Sequence, residues 1–114
     1  MTAKRRITEQ TERILQALMT NPTAEWSGAE IAPMTGIKSG TLYPALLRME
    51  RFGWLTWRWE EIDPSEEKRP RKRLYVLTGK GEEISRAVEH EARVRQRERA
   101  RRKGFDPSPG GLTA

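Results

Sequence analysis

Residues 27–53 of the 114-residue chain read SGAEIAPMTGIKSGTLYPALLRMERFG, and this stretch decides the fold. Ser27 stands three residues before Glu30, a spacing that lets each side chain bond the other's backbone N–H group in a capping box. A short helix is therefore predicted to begin at Ser27. Pro33 is expected to weaken or end it, because proline lacks the N–H that a helix interior uses. A turn at Gly36 follows.

A longer helix is predicted in the second half of this stretch. Its apolar side chains recur at spacings of three and four, which places them on one face: Leu42, Leu46 and Met49. Ser39 or Thr41 is expected to open the helix, with Pro44 near its first turn. Gly53 suits the left-handed residue that follows a helix. Two short helices joined by a glycine-containing turn indicate a helix-turn-helix.

The flanking sequence extends this unit in both directions. An earlier helix is predicted over residues 7–20, and it stops before Pro22 because proline pushes the preceding residue out of the helical region. After the helix-turn-helix, apolar and polar residues alternate over 55–59, as in a half-buried strand. Residues 74–77 predict a second strand, and the polar segment between the two strands is expected to be a solvated loop.

The order helix, helix, helix, strand, strand predicts a winged helix-turn-helix, a mainly α fold with a small β-hairpin (α+β). Thr78 is expected to cap a final helix that runs from about Gly79 to Lys103. The predicted organisation is therefore a winged helix-turn-helix DNA-binding domain at 1–78 and a C-terminal dimerisation helix at 79–103. Residues 104–114 are rich in glycine and proline and are expected to be a disordered tail.

The composition favours a nucleic-acid partner and includes few of the residue patterns that catalysis needs. Lysine and arginine outnumber aspartate and glutamate by 22 to 16, which gives a net charge of +6. A basic surplus on a small domain attracts polyanions. There is no cysteine, and the single histidine, His90, stands among charged residues. The acidic residues between 60 and 67 lack the spacing of a calcium loop. We therefore expect no catalytic residue, no metal and no cofactor.

The sequence also predicts where the protein works. No run of apolar residues is long enough to span a bilayer. The first residues lack the apolar segment of a secretory signal. A cytoplasmic protein without a membrane partner is expected.

The start of the longer helix carries the first candidate DNA contacts. Helix-turn-helix proteins reach base edges in the major groove with the N-terminal part of their second helix. The polar side chains near that end are Lys38, Ser39, Thr41 and Tyr43, with Arg48 further along. Two alternatives stay open, in which Ser39 and Thr41 only cap the helix and Tyr43 is a core aromatic.

The segment between the strands is the second candidate DNA contact, as the wing of a winged helix. It carries five cations within six residues: Lys68, Arg69, Arg71, Lys72 and Arg73. A cationic arm of this kind suits the phosphate backbone or the minor groove. Although a charge run is usually only a solvated loop, its place beside a reading helix favours contact with DNA.

Two further sets of residues are candidate sites. Three tryptophans lie close together in sequence and form either part of the core or an aromatic effector pocket: Trp54, Trp57 and Trp59. The last helix has a thin stripe of residues that suits packing on a second copy of the chain: Ile84, Ala87, Val88, Glu91 and Ala92. Beyond Val94 that helix is almost wholly charged.

Two sequence motifs point to a family. SGTLYPALLRMERFGWL at 39–55, a Trp-Glu strand and then RPRKRLYVLTGKGEE at 69–83 together resemble the PadR family of bacterial transcriptional regulators. The resemblance implies a winged helix that dimerises through its C-terminal helix, binds an inverted repeat near promoters and usually represses. It also implies that some members release DNA on binding aromatic or phenolic compounds.

Carried over by position, the resemblance places helix contacts at Ser39, Gly40, Thr41 and Tyr43, and wing contacts at Arg69, Arg71 and Arg73. The chain departs from the pattern in four places. The segment between the second and third helices is short, and Ser27-Gly28-Ala29 replaces a frequent Gly-Tyr. Leu74 stands where an aromatic is common, and the last helix is short and very basic. These departures bear on dimer strength and effector binding.

The sequence as a whole predicts a DNA-binding transcriptional regulator, a repressor that binds an inverted repeat as a homodimer. Its expected partners are double-stranded DNA and a second copy of itself, with a small aromatic effector as a candidate ligand. One alternative is a ligand-sensing or protein-interaction module on a winged-helix scaffold that hardly binds DNA. Another is a non-specific architectural DNA binder that relies on the basic C-terminal end.

Overall fold

The computed structural model describes residues 7–104, which form five helices and three strands. In chain order these are α1 (Glu9–Met19), β1 (Trp26–Ser27), α2 (Gly28–Thr35), α3 (Ser39–Arg51), β2 (Leu55–Trp59), α4 (Pro64–Glu67), β3 (Arg73–Leu77) and α5 (Gly79–Arg102). The mainly helical winged helix-turn-helix is confirmed. The predicted disordered tail, apart from Gly104, lies outside the described residues.

Four of the five helices in residues 7–104 begin with a side-chain oxygen that accepts a backbone N–H. Thr8, Asp63 and Thr78 cap α1, α4 and α5. Ser27 and Glu30 form the predicted capping box of α2. In contrast, the N-cap residue of α3 is Lys38, which makes no side-chain cap bond. The Thr41 N–H donates to the Lys38 carbonyl over 3.0 Å, whereas the N–H groups of Ser39 and Gly40 before it have no side-chain cap.

The sheet has three antiparallel strands in the order β1-β3-β2. The sequence predicts β2 and β3 but not β1, whose two residues are too few to show a periodicity. Tyr75 in the central strand pairs with Trp26 on one side and Trp57 on the other. Ser27 pairs with Leu74 while its side chain caps α2, so the added strand joins the wing directly to the helix-turn-helix.

The core lies between α1, α2, α3 and the inner face of the sheet, and α5 closes it. The predicted apolar stripe of α3 is fully buried there. The buried apolar residues are Ile14, Leu15, Leu18, Ile31, Ile37, Leu42, Ala45, Leu46, Met49, Trp54, Leu55, Tyr75, Leu77 and Val88. Each large aliphatic side chain removed from water contributes roughly 1.5–3 kcal/mol, so this cluster is the main source of stability.

The sequence predicts that Pro33 weakens or ends α2, but the helix continues past it to Thr35. A proline removes one helical hydrogen bond, and other groups bond the carbonyls in the last turn of α2. The Thr35 hydroxyl donates to the Ile31 carbonyl over 2.9 Å. The N–H of Gly36, with φ of 73°, closes the helix on the Ala32 carbonyl. The turn predicted at Gly36 is confirmed.

The first half of α5 packs on the body of the protein. A side chain at Gly81 would overlap the Trp54 carbonyl, so glycine is what allows this close approach. The Thr78 hydroxyl donates to the Gly53 carbonyl over 2.6 Å, which fixes the start of α5 against the end of α3. Among the helices described, none is both long and apolar enough to cross a membrane.

Candidate nucleic-acid interface

The start of α3 presents an open row of polar groups. Residues 38–41 are exposed, whereas Leu42 is buried and anchors the helix on the core. Because Lys38 occupies the N-cap position, neither Ser39 nor Thr41 serves as the cap that the sequence left open as an alternative. Ser39 and Thr41 are therefore exposed at the same end of the helix as the N–H groups that no side chain caps.

Tyr43 lies on the outer side of α3 and not in the core. Its side chain is 46% exposed, and its ring rests against Gly28 at the start of α2. A Cβ at Gly28 would overlap the tyrosine ring and its hydroxyl, so glycine allows this position for the ring. Arg48 is exposed further along the same helix.

The wing is shaped by a short helix and a left-handed residue. Asp63 caps α4, and Lys68 ends it at φ of 59°, an unusual value for a residue with a side chain. The Arg71 guanidinium donates from Nε to the Ile62 carbonyl over 3.1 Å. Lys68 and Lys72 are exposed and make no ion pair within residues 7–104. The expected loop is therefore an ordered arm.

Arg69 is bonded within the protein. Its two terminal nitrogens donate to the two carboxylate oxygens of Glu60 over 2.8 and 3.0 Å. The Arg69 hydrogen bond holds the pKa of Glu60 well below its ordinary value, at about 2, with a further contribution from the backbone N–H of Lys72. The sequence pattern predicts a DNA contact for Arg69 and gives no sign of this partner.

Arg73 is likewise engaged at the base of the wing. Its guanidinium lies 4.4 Å from the ring centre of Trp57 and 5.6 Å from that of Trp59, in cation–π geometry. The Trp57 indole donates to the Glu50 carboxylate over 3.1 Å, which ties the sheet to α3. Arg73 therefore contacts both aromatic rings while its side chain remains exposed.

A second ion pair fixes the outer side of the sheet. Arg58 donates from two nitrogens to Glu25 over 2.6 and 2.7 Å, and this hydrogen bonding lowers the pKa of Glu25. The two residues are 33 positions apart. No local sequence pattern indicates a pair at that separation, so neither residue is among those predicted from the sequence.

One open groove brings the two candidate DNA-contacting elements together. It has a volume of about 330 Å³ and lies between the start of α2, Tyr43 of α3 and the base of the wing. Its lining residues are Ser27, Gly28, Ala29, Tyr43, Trp59, Arg71, Lys72, Arg73 and Tyr75. The wing and the exposed side of α3 thus border the same face of the molecule.

Comparison with known proteins explains this arrangement. The sequence profile described as the transcriptional regulator PadR-like family matches residues 29–87, just over half of the chain. The match spans α3, the wing and the start of α5. The chain belongs to the PadR-like family. No curated protein sequence matches it.

Solved structures of regulators share the fold of this PadR-like protein. A PadR-like transcription factor from Bacteroides fragilis is 23% identical, with a TM-score of 0.60 over 74% of this chain and 82% of the other. A PadR family regulator from Clostridium difficile R20291 is 24% identical, with a TM-score of 0.60 over 75% and 90%.

NadR in complex with 4-hydroxyphenylacetate is 22% identical to the PadR-like chain, with a TM-score of 0.63 over 82% of this chain. The PadR-like chain spans only 61% of NadR, and 54% and 51% of two AbfR chains of related fold. At these identities the likeness establishes the fold alone.

The three tryptophans of the PadR-like protein are not gathered around one cavity. Trp54 is buried against Phe52, with ring centres 4.8 Å apart. Trp57 is half-buried and contacts Trp59 edge to face at 5.2 Å. Trp59 is 52% exposed, because the end of β2 extends past the core, and of the three it alone lines the groove.

The residues expected to form a dimer are divided between two environments in this PadR-like protein. Val88 is 5% exposed inside the protein's own core, and Ile84 packs against that core. Their apolar side chains are therefore used within the chain. Ala87 and Ala92 are half-buried, whereas Glu91 and the neighbouring Val94 are exposed on α5.

Proposed function

We propose that this PadR-like protein is a sequence-specific DNA-binding regulator that represses transcription by occupying an inverted repeat as a homodimer. One observation carries the proposal: Tyr43, on the exposed side of α3 just after its uncapped start, lines the same groove as the wing cations Arg71, Lys72 and Arg73. A helix end that leaves N–H groups and hydroxyls free, next to exposed cations, matches the alternating base edges and phosphates of a duplex.

The two elements have different chemistry toward DNA. Hydroxyl and phenol groups at the start of α3 suit base edges and nearby phosphates in the major groove, through Ser39, Thr41 and Tyr43. Gly40 lets the backbone approach closely, and Lys38 and Arg48 suit phosphates on either side. Exposed Lys68, Arg71 and Lys72 on the wing suit the backbone or the minor groove, where they add affinity without reading sequence.

The homodimer we propose pairs two copies through α5. Ala87, Glu91, Ala92 and Val94 are among the residues that its packing on the protein's own core leaves at least partly accessible. A symmetric dimer would place two copies of α3 in successive major grooves, about 34 Å apart. Regulation would follow from occupying a promoter in the cytoplasm, without a catalytic step.

A second candidate function is effector sensing in the same groove. Trp59 and Tyr43 each expose about half of their side-chain surface there, next to Arg73. NadR, which shares the fold, binds 4-hydroxyphenylacetate. An aromatic ligand in this groove would compete with DNA directly, and quenching of tryptophan fluorescence by aromatic acids without any DNA binding would favour this function over the first.

Selection of bound sequences from a random duplex pool tests the main proposal. We expect enrichment of an inverted repeat whose half-sites are about one helical turn apart. Binding without enrichment would point to the architectural alternative. In that case a chain ending after Val94 should lose binding altogether, whereas the regulator should lose little. A chain that enriches no sequence and binds no duplex would contradict the proposal.

A further inference from the structure

We propose that Glu60 and Arg69 are a positioning pair that sets the shape of the wing, so that Arg69 acts on DNA through its neighbours and not by contact. This inference rests on the proposed DNA-binding function. It divides the five cations of the wing into two groups. Arg69 and Arg73 hold the arm internally, whereas Lys68, Lys72 and the terminal nitrogens of Arg71, whose Nε bonds the Ile62 carbonyl, remain to meet phosphates.

The geometry of the pair is that of a strong, oriented interaction. Glu60 follows β2 directly, and Arg69 lies nine residues later on the returning side of the arm. Both carboxylate oxygens are engaged, each by a different guanidinium nitrogen, over 2.8 and 3.0 Å. Two parallel bonds fix orientation as well as distance, which a single contact between flexible side chains does not.

Glu60 is also bonded to the opposite strand through its backbone. Its N–H donates to the Lys72 carbonyl over 2.8 Å, and the Lys72 N–H donates to the Glu60 carboxylate over 3.2 Å. The side chain of Arg69 donates to the Pro70 carbonyl over 3.3 Å as well. Glu60 therefore bonds Arg69 and Lys72 directly at the base of the arm, and it is linked to Pro70 through Arg69.

Closing the base determines where the exposed cations lie. The Arg69 N–H donates to the Pro64 carbonyl over 3.3 Å, just after Lys68 has turned the chain at φ of 59°. If the base opened, bonds within the arm would remain, from the Lys68 N–H to the Pro64 carbonyl and from Arg71 Nε to the Ile62 carbonyl, but the arm would lose its tie to the end of β2 through the Glu60 carboxylate. Lys68 and Lys72 would then have to be ordered when DNA binds, and that ordering reduces affinity.

An acidic side chain beside a DNA-binding surface normally repels phosphates, so charge and positioning predict opposite results for Glu60→Gln. Charge alone predicts tighter binding to DNA. The positioning pair predicts weaker binding, on the order of threefold to tenfold, because the arm loses its fixed shape. Glu61→Gln is the matched control. It removes the same charge from the neighbouring residue, whose side chain is exposed.

The first experiment needs no DNA. Trypsin cuts after Lys68, and mass spectrometry gives the initial rate of cleavage at that bond in the folded protein. We expect Glu60→Gln to raise this rate roughly tenfold over the wild type, and Glu61→Gln to leave it unchanged. Equal rates in the two variants would overturn the positioning pair whether or not the protein binds DNA.

The second experiment measures binding to a 30-base-pair random duplex across a range of salt concentrations. Arg69→Gln should weaken binding with an unchanged salt slope, whereas removing a cation that binds phosphate lowers that slope by about 0.9. The reversed pair Glu60→Arg with Arg69→Glu should recover only part of the wild-type affinity, because it restores the ion pair but not the acceptor of the Lys72 N–H. A lowered slope for Arg69→Gln, or tighter binding by Glu60→Gln, would overturn the inference. A wild type that binds no duplex would instead count against the proposed function.

Discussion

The two helices of the helix-turn-helix begin in opposite ways. At the start of α2, Ser27 and Glu30 bond each other's backbone N–H groups, with distances of 2.9 and 3.2 Å. At the start of α3, Lys38 supplies no such bond, and the residues after it are exposed. The N–H groups at the start of α2 are bonded by side chains of the protein, whereas those at the start of α3 have no side-chain cap.

This difference shows which helix is optimised for stability. A good N-cap contributes about 1 kcal/mol relative to a residue that cannot cap. A cation at a helix N-terminus is also unfavourable against the helix dipole, by about 0.3–1 kcal/mol. Lys38 therefore lowers the stability of α3 on two counts, and a negatively charged partner at that end would reverse the second of them.

The largest effect expected from the open start of α3 is on specific DNA binding. Replacing Thr41 and Tyr43 by alanine should weaken binding to the selected duplex by about 1–3 kcal/mol for each base that is no longer recognised. Binding to a random duplex should change little. Fluorescence anisotropy on both duplexes measures the difference, and Thr56→Ala on the outer face of the sheet is the control. Equal weakening on both duplexes would contradict a reading role for α3.

A pair of serine variants tests the comparison directly through stability. Ser27→Ala should lower the free energy of unfolding by about 0.5–2 kcal/mol, because the N–H of Glu30 loses its acceptor. Ser39→Ala, at the start of the other helix, should change it by no more than about 0.5 kcal/mol. Urea denaturation gives both values. If Ser39→Ala were as destabilising as Ser27→Ala, the start of α3 would not be open.

Lys38→Ser should raise stability while lowering affinity for DNA. A serine at the N-cap can accept an N–H bond and removes the unfavourable charge, which should add about 0.5–1 kcal/mol and raise the melting temperature by several degrees. Affinity for random duplexes should fall with a salt slope smaller by about 0.9. Lys103→Ser at the far end of α5 is the control for charge. An unchanged salt slope in Lys38→Ser would remove Lys38 from the interface.

The smallest expected effect is on the pKa of Glu60, which a titration of the wild type measures. NMR should give Glu60 a carboxyl pKa of about 2, because Arg69 and the Lys72 N–H bond the charged form. Its contribution to stability is present above the ordinary value near 4.5 and is lost as the pH falls through about 2. In Arg69→Gln the pKa should return toward 4.5. An ordinary value in the wild type would mean that the pair is open in solution.

The parts of the fold that follow from short-range patterns could be predicted. The capping box at Ser27, the turn at Gly36 and the apolar stripe of α3 each rest on residues within one or two turns of each other. The two-residue strand β1 has no such pattern, and it forms because Trp26 and Ser27 meet β3 in space. The four-residue helix α4 is likewise too short to produce a recognisable pattern in a charged segment.

The site was harder to predict than the fold, because partners within it are distant in sequence. The wing cations are visible as a cluster, but nothing local reveals that Arg69 meets Glu60 or that Arg73 lies over two indoles. Apolar spacing on α5 likewise predicts that Val88 is buried, but it does not show whether Val88 packs within its own chain or against a partner. Only packing distinguishes these cases.

Ser27 has a further consequence for the relative position of the wing and the helix-turn-helix. The same residue belongs to β1, bonded to the central strand, and to the first turn of α2. The wing and the helix-turn-helix are therefore joined through one residue, in addition to the core that they share. In the proposed complex with DNA, the separation of the wing from α3 sets the span of duplex that fits between them.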